Sequence, residues 1–426
     1  MSQLLNGQFM IKGLAIAVTT LMVGTAHAAK TEQQQIQELR QEVEALKSLI
    51  QQQQQVQQQQ QTQIAQVQQA KPAAPVSALS SLKSKSGADV SIYGSIRGDA
   101  NYIIKGADND FNSAHTSKEE ASDKLRATAK VTRLGLDFNT PVGDNKVGGK
   151  VEVDFASGSD NLRIRHAYLT LNNWLFGQTT SSFASVHAPE MIDFSTNIGG
   201  TGGSARVPQV RYSQKLAPAT QLFVSAEEGN SKATETGDLS YRLPVLTAKV
   251  TQGFADGKGL ASARALVEHY KSDAANDDKT GWGAAVGANY QVAEPLKVSA
   301  DVAYMKGNSN HLYGSNTAYS VVGNSIEQNE AVAVQVGATY KFSPQLRSTL
   351  AYGALFADDG TNYARAAVAT DDSSANEKVQ QAWINFIYSP VKPVDLGIEY
   401  INGERKNFAG EKFSDDRVGF MARYSF

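Results

Sequence analysis

The chain has 426 residues, with 40 Lys plus Arg against 42 Asp plus Glu and a formal net charge of −2. That balance excludes a generally basic nucleic-acid binder. There is no Cys, which removes disulfides and leaves no thiol for lipid attachment.

Residues 1–28 carry one cation, Lys12, then an apolar run over 13–26 and small residues at Ala26 and Ala28. This is the pattern of a secretory signal peptide cleaved after Ala28. No later stretch reaches about 18 apolar residues, so the only way for this chain to span a membrane is as a closed β-barrel. Over 29–70, Ile36, Val43, Ile50 and Ile64 fall on heptad a positions and Leu39, Leu46 and Val67 on d, which predicts a coiled coil. The Gln-rich middle of this segment leaves a disordered spacer as the alternative. Residues 71–88, rich in Pro, Ala and Ser, read as a linker.

From Asp89 to Phe426 the chain repeats one unit: an alternating strand, a connection, and another alternating strand. Starts fall near Val90, Lys124, Lys146, Asn161, Asn173, Ala205, Thr220, Leu243, Leu260, Gly281, Leu296, Glu330, Gln345, Lys378, Val394 and Phe413. Sixteen is an even number, as an antiparallel barrel built from hairpins requires. Short connections such as 343–344 and 391–393 would be periplasmic turns, and long polar ones such as 105–123, 307–329 and 358–377 outside loops. Around Thr132 the apolar residues switch parity, from Ala127, Ala129 and Val131 to Leu134, Leu136 and Phe138, which predicts a bulge. The last strand alternates Val418, Phe420, Ala422, Tyr424 and Phe426 with Arg417 and Arg423. An outward Arg costs roughly 2–4 kcal/mol at mid-bilayer, so both arginines are expected to face the lumen.

A strand tilted about 45° advances roughly 2.3 Å along the barrel axis per residue, which places Arg97, Arg133 and Arg165 about 14–16 Å above the periplasmic rim. Arg163 lies one step higher, and Arg206 and Arg211 extend the set around the wall. Lys150, Glu152 and Asp154 partly counter it. A fixed guanidinium cluster in a narrow lumen focuses the field and favours anions, and the planar fork of Arg suits carboxylates. If these arginines were instead fully neutralised by lumen carboxylates, they would only keep the wall wet. Lys249, Arg264, Lys297 and Arg347 are inward by parity and are expected to pair with Glu268, Asp301, Asp395 and Glu399. The connection over 179–204 is rich in both apolar residues and Gly. Folded into the lumen, it would place Glu190 and Asp193 opposite the arginines across a constriction; its alternative is an outside loop or subunit clasp.

The segments VSIYGSIRGD at Val90, TRLGLDF at Thr132, RIRHAYLTL at Arg163, FGQTTSSF at Phe176, RVPQVRY at Arg206 and the terminal Phe426 resemble trimeric outer-membrane porins of Gram-negative bacteria. They resemble most the DcaP-like porins. The resemblance implies an all-β fold, a 16-stranded antiparallel transmembrane β-barrel with an N-terminal periplasmic coiled coil, assembled as a homotrimer amid outer-membrane lipid and lipopolysaccharide. It implies a third loop folded into each pore and passive uptake of small anionic solutes, dicarboxylates especially, past Arg97, Arg133, Arg163, Arg165, Arg206 and Arg211. In one departure, Pro189-Glu190-Met191 stands where general porins tend to have PEF followed by Gly.

The mature His residues, His115, His166, His187, His269 and His311, lie in no HExxH or GxSxG context, so no catalytic set and no cofactor are expected. Asp108, Asp110, Asn112 and Glu119 fall on calcium-loop positions, but Ser113 replaces the required Gly, and a solvated acidic loop is the simpler reading. The alternative to a channel is a structural envelope protein whose coiled coil braces the periplasm and whose barrel conducts little.

Overall fold

A backbone that must satisfy every N–H and C=O in hydrocarbon closes its sheet on itself, and this chain does so. The computed structural model describes residues 82–157, 161–201, 206–235 and 238–426. Among them sixteen strands form one closed antiparallel barrel. They are β1 (Asp89–Gly106), β2 in two pieces (Ala121–Thr128 and Arg133–Val142), β3 (Asn145–Asp154), β4 (Arg163–Leu171) and β5 (Trp174–Thr180). Then come β6 (Arg206–Ala217), β7 (Thr220–Glu227), β8 (Val245–Phe254), β9 (Gly259–Ser272), β10 (Asp277–Ala293) and β11 (Leu296–Lys306). The circuit ends with β12 (Glu330–Lys341), β13 (Leu346–Ala357), β14 (Asn376–Val391), β15 (Val394–Asn407) and β16 (Lys412–Ser425).

Closure is made where the two ends of the barrel meet. Ser95 of β1 faces Ser425 of β16 and Lys105 faces Asp416, while Gly94 and Phe426 exchange backbone bonds of 3.0 and 3.1 Å. Closure leaves none of the sixteen barrel strands as an edge that could aggregate. The expected parity switch is a break in β2. Thr132 N donates to Ala129 O at 3.0 Å, and Thr132 Oγ1 accepts from Arg97 N at 3.1 Å before the strand resumes at Arg133.

The outer face carries the apolar half of each alternation, with Ile92, Leu134, Val286, Val336, Leu350 and Ile398 all exposed. At the end with the short turns, aromatic rings pack side by side: Tyr340 on Phe342 (5.0 Å), Trp174 on Tyr212 (4.9 Å) and Phe254 on Tyr290 (5.8 Å). This is the interfacial girdle that amphipathic rings form where hydrocarbon meets headgroups. Arg417 points inward and is fully buried against Asp415 at 2.6 Å, and Arg423 pairs with Asp395. Both therefore avoid the lipid face, as their parity requires.

The signal and coiled-coil segments expected over 1–28 and 29–70 lie outside the described residues. At the end of the expected linker, Leu82 pairs with Val90 and Lys83 with Asp89, so the chain folds back on the start of β1.

Candidate functional site

The described part of the connection between β5 and β6, residues 181–201, does not leave the barrel. It runs along the inner wall, bonded at nearly every step to a side chain rising from a strand. Ser182 N donates to Glu227 on β7 at 2.9 Å, and Ser185 Oγ to Asp301 on β11 at 2.6 Å. Trp383 Nε1 on β14 donates to Glu190 O at 3.1 Å. The N–H groups of Ile192 and Asp193 each donate at 2.9 Å to the two oxygens of Glu399 on β15. The loop then returns, with Gln335 Nε2 on β12 donating to Ile198 O at 3.3 Å.

Small residues let it lie this close. Gly199 has φ +74°, and a Cβ there would stand 2.2 Å from Val334 O; opposite, a Cβ on Gly353 would meet Ile198 O at 1.9 Å. Phe183 and Ile198 fill the space behind the loop together with Leu266, Met305, Leu312, Leu355 and Val379. The side of the lumen walled by β7 to β15 is thus occupied, and the free passage is pressed against β16 and β1 to β6.

That open side carries the arginines. Arg97, Arg133, Arg163, Arg165, Arg206 and Arg423 line one cavity of about 590 Å³, faced across it by Val186, Ala188, Met191, Ile192 and Phe194 of the loop. The strand register builds the cluster. Arg133 on β2 is level with Asp154 on β3, which is level with Arg163 on β4. Between Glu152 and Val153 the β3–β4 register slips: Glu152 faces His166, Val153 faces Ile164, and Arg165 is the extra residue. The slip points Arg165 inward while Ile164 and Leu169, which differ in parity, both stay on the exposed outer face. Bulges re-aim side chains in this way.

Four carboxylates answer the six guanidiniums. Arg97 bonds Asp99 at 2.6 Å and also donates to Ile192 O at 2.6 Å. Arg163 forks onto Asp154 at 2.9 and 2.7 Å. Arg165 bonds Glu152 at 2.6 Å and Asp154 at 2.8 Å, and Arg423 bonds Asp395. Arg133 and Arg206 have no carboxylate partner among the described residues, and Arg206 Nε is buried without a hydrogen-bond partner there. Two positive charges are left over, so the wall is neither wholly neutralised nor wholly free.

Three expected positions differ in place. Glu190 does not face the arginines; it is clamped by Arg347 on β13 at 2.8 to 3.1 Å. Asp193 is buried and accepts from Asn112 N at 2.6 Å and Ser195 N at 2.9 Å, which makes it a brace between the inner loop and the connection from β1 to β2. The surface opposite the guanidiniums therefore carries no carboxylate among the described residues; beside its apolar residues the loop contributes only Ser185 and Asn197 to the lining, because it spends its carboxylates on its own anchoring. Arg211 lies outside the cavity lining. Arg206 and Arg211 are five residues apart and so of opposite parity on one strand; Arg206 reaches the cavity from the first residue of β6, where the loop joins.

Of the other inward charges, Arg264 does pair with Asp301, at 2.6 Å. Asp395 takes Arg423 in place of Arg347, and Glu399 holds loop backbone. Asp99 and Glu399 were both missed as site residues. The first was legible from its i, i+2 spacing with Arg97, which places both on one face of a strand; the second was expected as an inward charge, but nothing local marked it as the anchor of the loop. In the outer loops Asp108 is taken up by Lys124 and Arg126, and the Lys124 bond above all holds its carboxyl below the usual range. Asp110 bonds Arg126 and Lys130, so these acids are paired with cations.

A family model described as DcaP outer membrane protein matches residues 21–426. No curated protein sequence matches the chain. Among solved structures, the outer membrane channel DcaP of Acinetobacter baumannii is 67% identical, with a TM-score of 0.79 over 82% of this chain and 100% of that one. Two more distant neighbours share the fold. The trimer form of Vibrio cholerae OmpT has 15% identity and a TM-score of 0.53 over 80% of this chain and 99% of that one. Salmonella typhi OmpF, solved with daunomycin, has 14% identity and a TM-score of 0.50 over 80% and 98%. A closed barrel with a wall-hugging inner loop, matched by a family model along most of its length, belongs to the DcaP outer membrane protein family, and the chain is an outer-membrane channel of the porin kind.

Proposed function

We propose that this porin passes small organic anions, dicarboxylates foremost, by passive diffusion between an arginine wall and an apolar loop. The observation that carries the reading is the surplus of guanidinium over carboxylate around the cavity, with Arg133 and Arg206 unpaired among the described residues. Within low-dielectric walls such a surplus raises the local concentration of anions. Guanidinium forks bind carboxylate oxygens two at a time, while Val186, Ala188 and Phe194 offer contact to the hydrocarbon part of the solute. The working unit is a homotrimer, a state named for one of the OmpT neighbours, set in outer-membrane lipid and lipopolysaccharide. No chemical step is assigned to it.

Replacing Arg163 and Arg165 together by Ala tests the reading. The change removes two cations and leaves Glu152 and Asp154 facing the bore with fewer partners, so the wall surplus falls to zero. At about 1 kcal/mol per contact charge in a watery pore, dicarboxylate flux into proteoliposomes should fall about tenfold or more. Flux of a neutral sugar of similar size should hold or rise. Equal losses for both solutes would contradict charge recognition.

A further inference from the structure

The periplasmic end of the bore carries lysines that no wall carboxylate answers. Lys146 on β3, Lys215 on β6, Lys297 on β11 and Lys341 on β12 each lie within two residues of the strand end that meets a short turn. Their parity is that of the inward side chains on the same strands. Lys146 alternates in step with Lys150 and Glu152, Lys215 with Gln209, Lys297 with Asp301, and Lys341 with Gln335. Glu152, Asp301 and Gln335 bond Arg165, Ser185 and Ile198 inside the lumen. Lys146 lies six residues along β3 from Glu152, and Lys341 six along β12 from Gln335. Both therefore stand roughly 14 Å nearer the periplasm than the level at which those bonds are made.

All four lysines are exposed, and none has an ion pair among the described residues. The inward carboxylates at this end are each taken by another cation: Asp137 by Lys150 at 3.2 Å, Glu190 by Arg347 at 2.8 Å, Asp89 by Lys83 at 2.6 Å, and Asp395 by Arg423. In the turns, Asp144, Asp256 and Glu294 stand against Lys258 and Lys392, so the end as a whole stays positive. The opposite mouth differs. There the inward cations of β2 are paired, Lys124 with Asp108 and Arg126 with Asp110, and the connection between β13 and β14 adds the exposed Asp358, Asp359 and Asp371.

We propose that Lys146, Lys215, Lys297 and Lys341 form an anion vestibule at the periplasmic mouth alone, which makes capture of anionic solutes faster from that end and eases their exit toward it. A ring of one charge sign at a pore mouth raises the local concentration of its counter-ions. An anion leaving the arginine cavity steps onto a second positive zone, and conduction needs binding that is spread over several weak sites. Lysine suits a weak site, because its compact ammonium stays strongly hydrated and holds a carboxylate at one point. Exposed charges act over a Debye length, so the effect must fade with salt. The inference rests on the anion-channel reading and adds a direction to it.

The test is single-channel current with butanedioate added to one side at a time. In about 0.1 M KCl, where the Debye length is about 10 Å, the combined Lys146→Gln, Lys215→Gln, Lys297→Gln and Lys341→Gln variant should lose about threefold in capture rate from the periplasmic side. Capture from the outside should hold. In about 1 M KCl, where the Debye length is about 3 Å, the variant and the wild type should coincide. The same four positions changed to Arg should keep the wild-type rate. A periplasmic rate unaltered in the Gln variant at the lower salt overturns the proposal. So does a fall that persists at the higher salt or appears in the Arg variant, since either would trace the effect to shape and not to charge. Wild-type channels that prefer potassium to chloride would remove the parent reading and the vestibule with it; chloride-preferring channels with an unaltered Gln variant would remove the vestibule alone.

Discussion

Replacing Arg133 and Arg206 together by Glu is expected to turn the channel from anion-preferring to cation-preferring and to reduce dicarboxylate flux to near background. These two guanidiniums have no carboxylate partner among the described residues, so they carry the surplus charge of the cavity. The exchange alters the wall by four units and leaves it acidic. With each contact charge worth about 1 kcal/mol even at the dielectric of water, the ratio of anion to cation permeability should move by two or more orders of magnitude. The barrel should form normally, since both side chains face the bore and the strand ladder does not depend on them. Reversal potentials under a KCl gradient read the outcome directly. A double variant that stays anion-selective would place the filter elsewhere.

Replacing Glu399 by Ala is expected to release the constriction loop. Glu399 is wholly buried, with its two oxygens divided between Ile192 N and Asp193 N, while Asn385 Nδ2 donates to one of them at 3.0 Å. Without the carboxylate two buried N–H groups lose their acceptor, at about 1–3 kcal/mol each, or roughly 2–6 kcal/mol against the docked loop. The loop can recover those bonds only by lifting toward water. The segment carrying Met191, Ile192 and Phe194 would then leave the cavity edge, and Arg97 would lose its bond to Ile192 O. Single-channel conductance should rise and the preference for dicarboxylate over neutral sugar should shrink. Glu399→Gln keeps one carbonyl acceptor and should give a smaller rise. Unchanged conductance in the Ala variant would show that Trp383, Asn385 and Arg347 hold the loop without it.

Strand positions were legible because hydrocarbon enforces the period of two. The outward row Val332, Val334, Val336 and Ala338 has only one structural reading, and the expected starts at Thr220, Leu296, Glu330 and Val394 are the observed ones. The break after Thr128 was also legible, since apolar residues cannot change parity in a continuous strand without exposing charge to lipid. The site was legible in composition and less so in placement. Arg97, Arg133, Arg163, Arg165 and Arg206 converge on one cavity, and the register slip between β3 and β4 beside Arg165 shows in the sequence only as the change of parity from Ile164 to Leu169. The partners of Glu190 and Asp193 depend on where the inner loop travels. Arg347, Asn112 and Glu399 lie far from them in sequence, so parity arguments on single strands could not find those contacts. Arg211 has the inward parity of the buried Val207 and Gln209 but lies outside that cavity, five residues along β6 from Arg206.

The most direct test of the whole account is the sign of the reversal potential of the wild-type protein in a planar bilayer under a KCl gradient. A bore whose free passage runs past two unanswered guanidiniums should give the sign for chloride over potassium. The sign for potassium over chloride would contradict it.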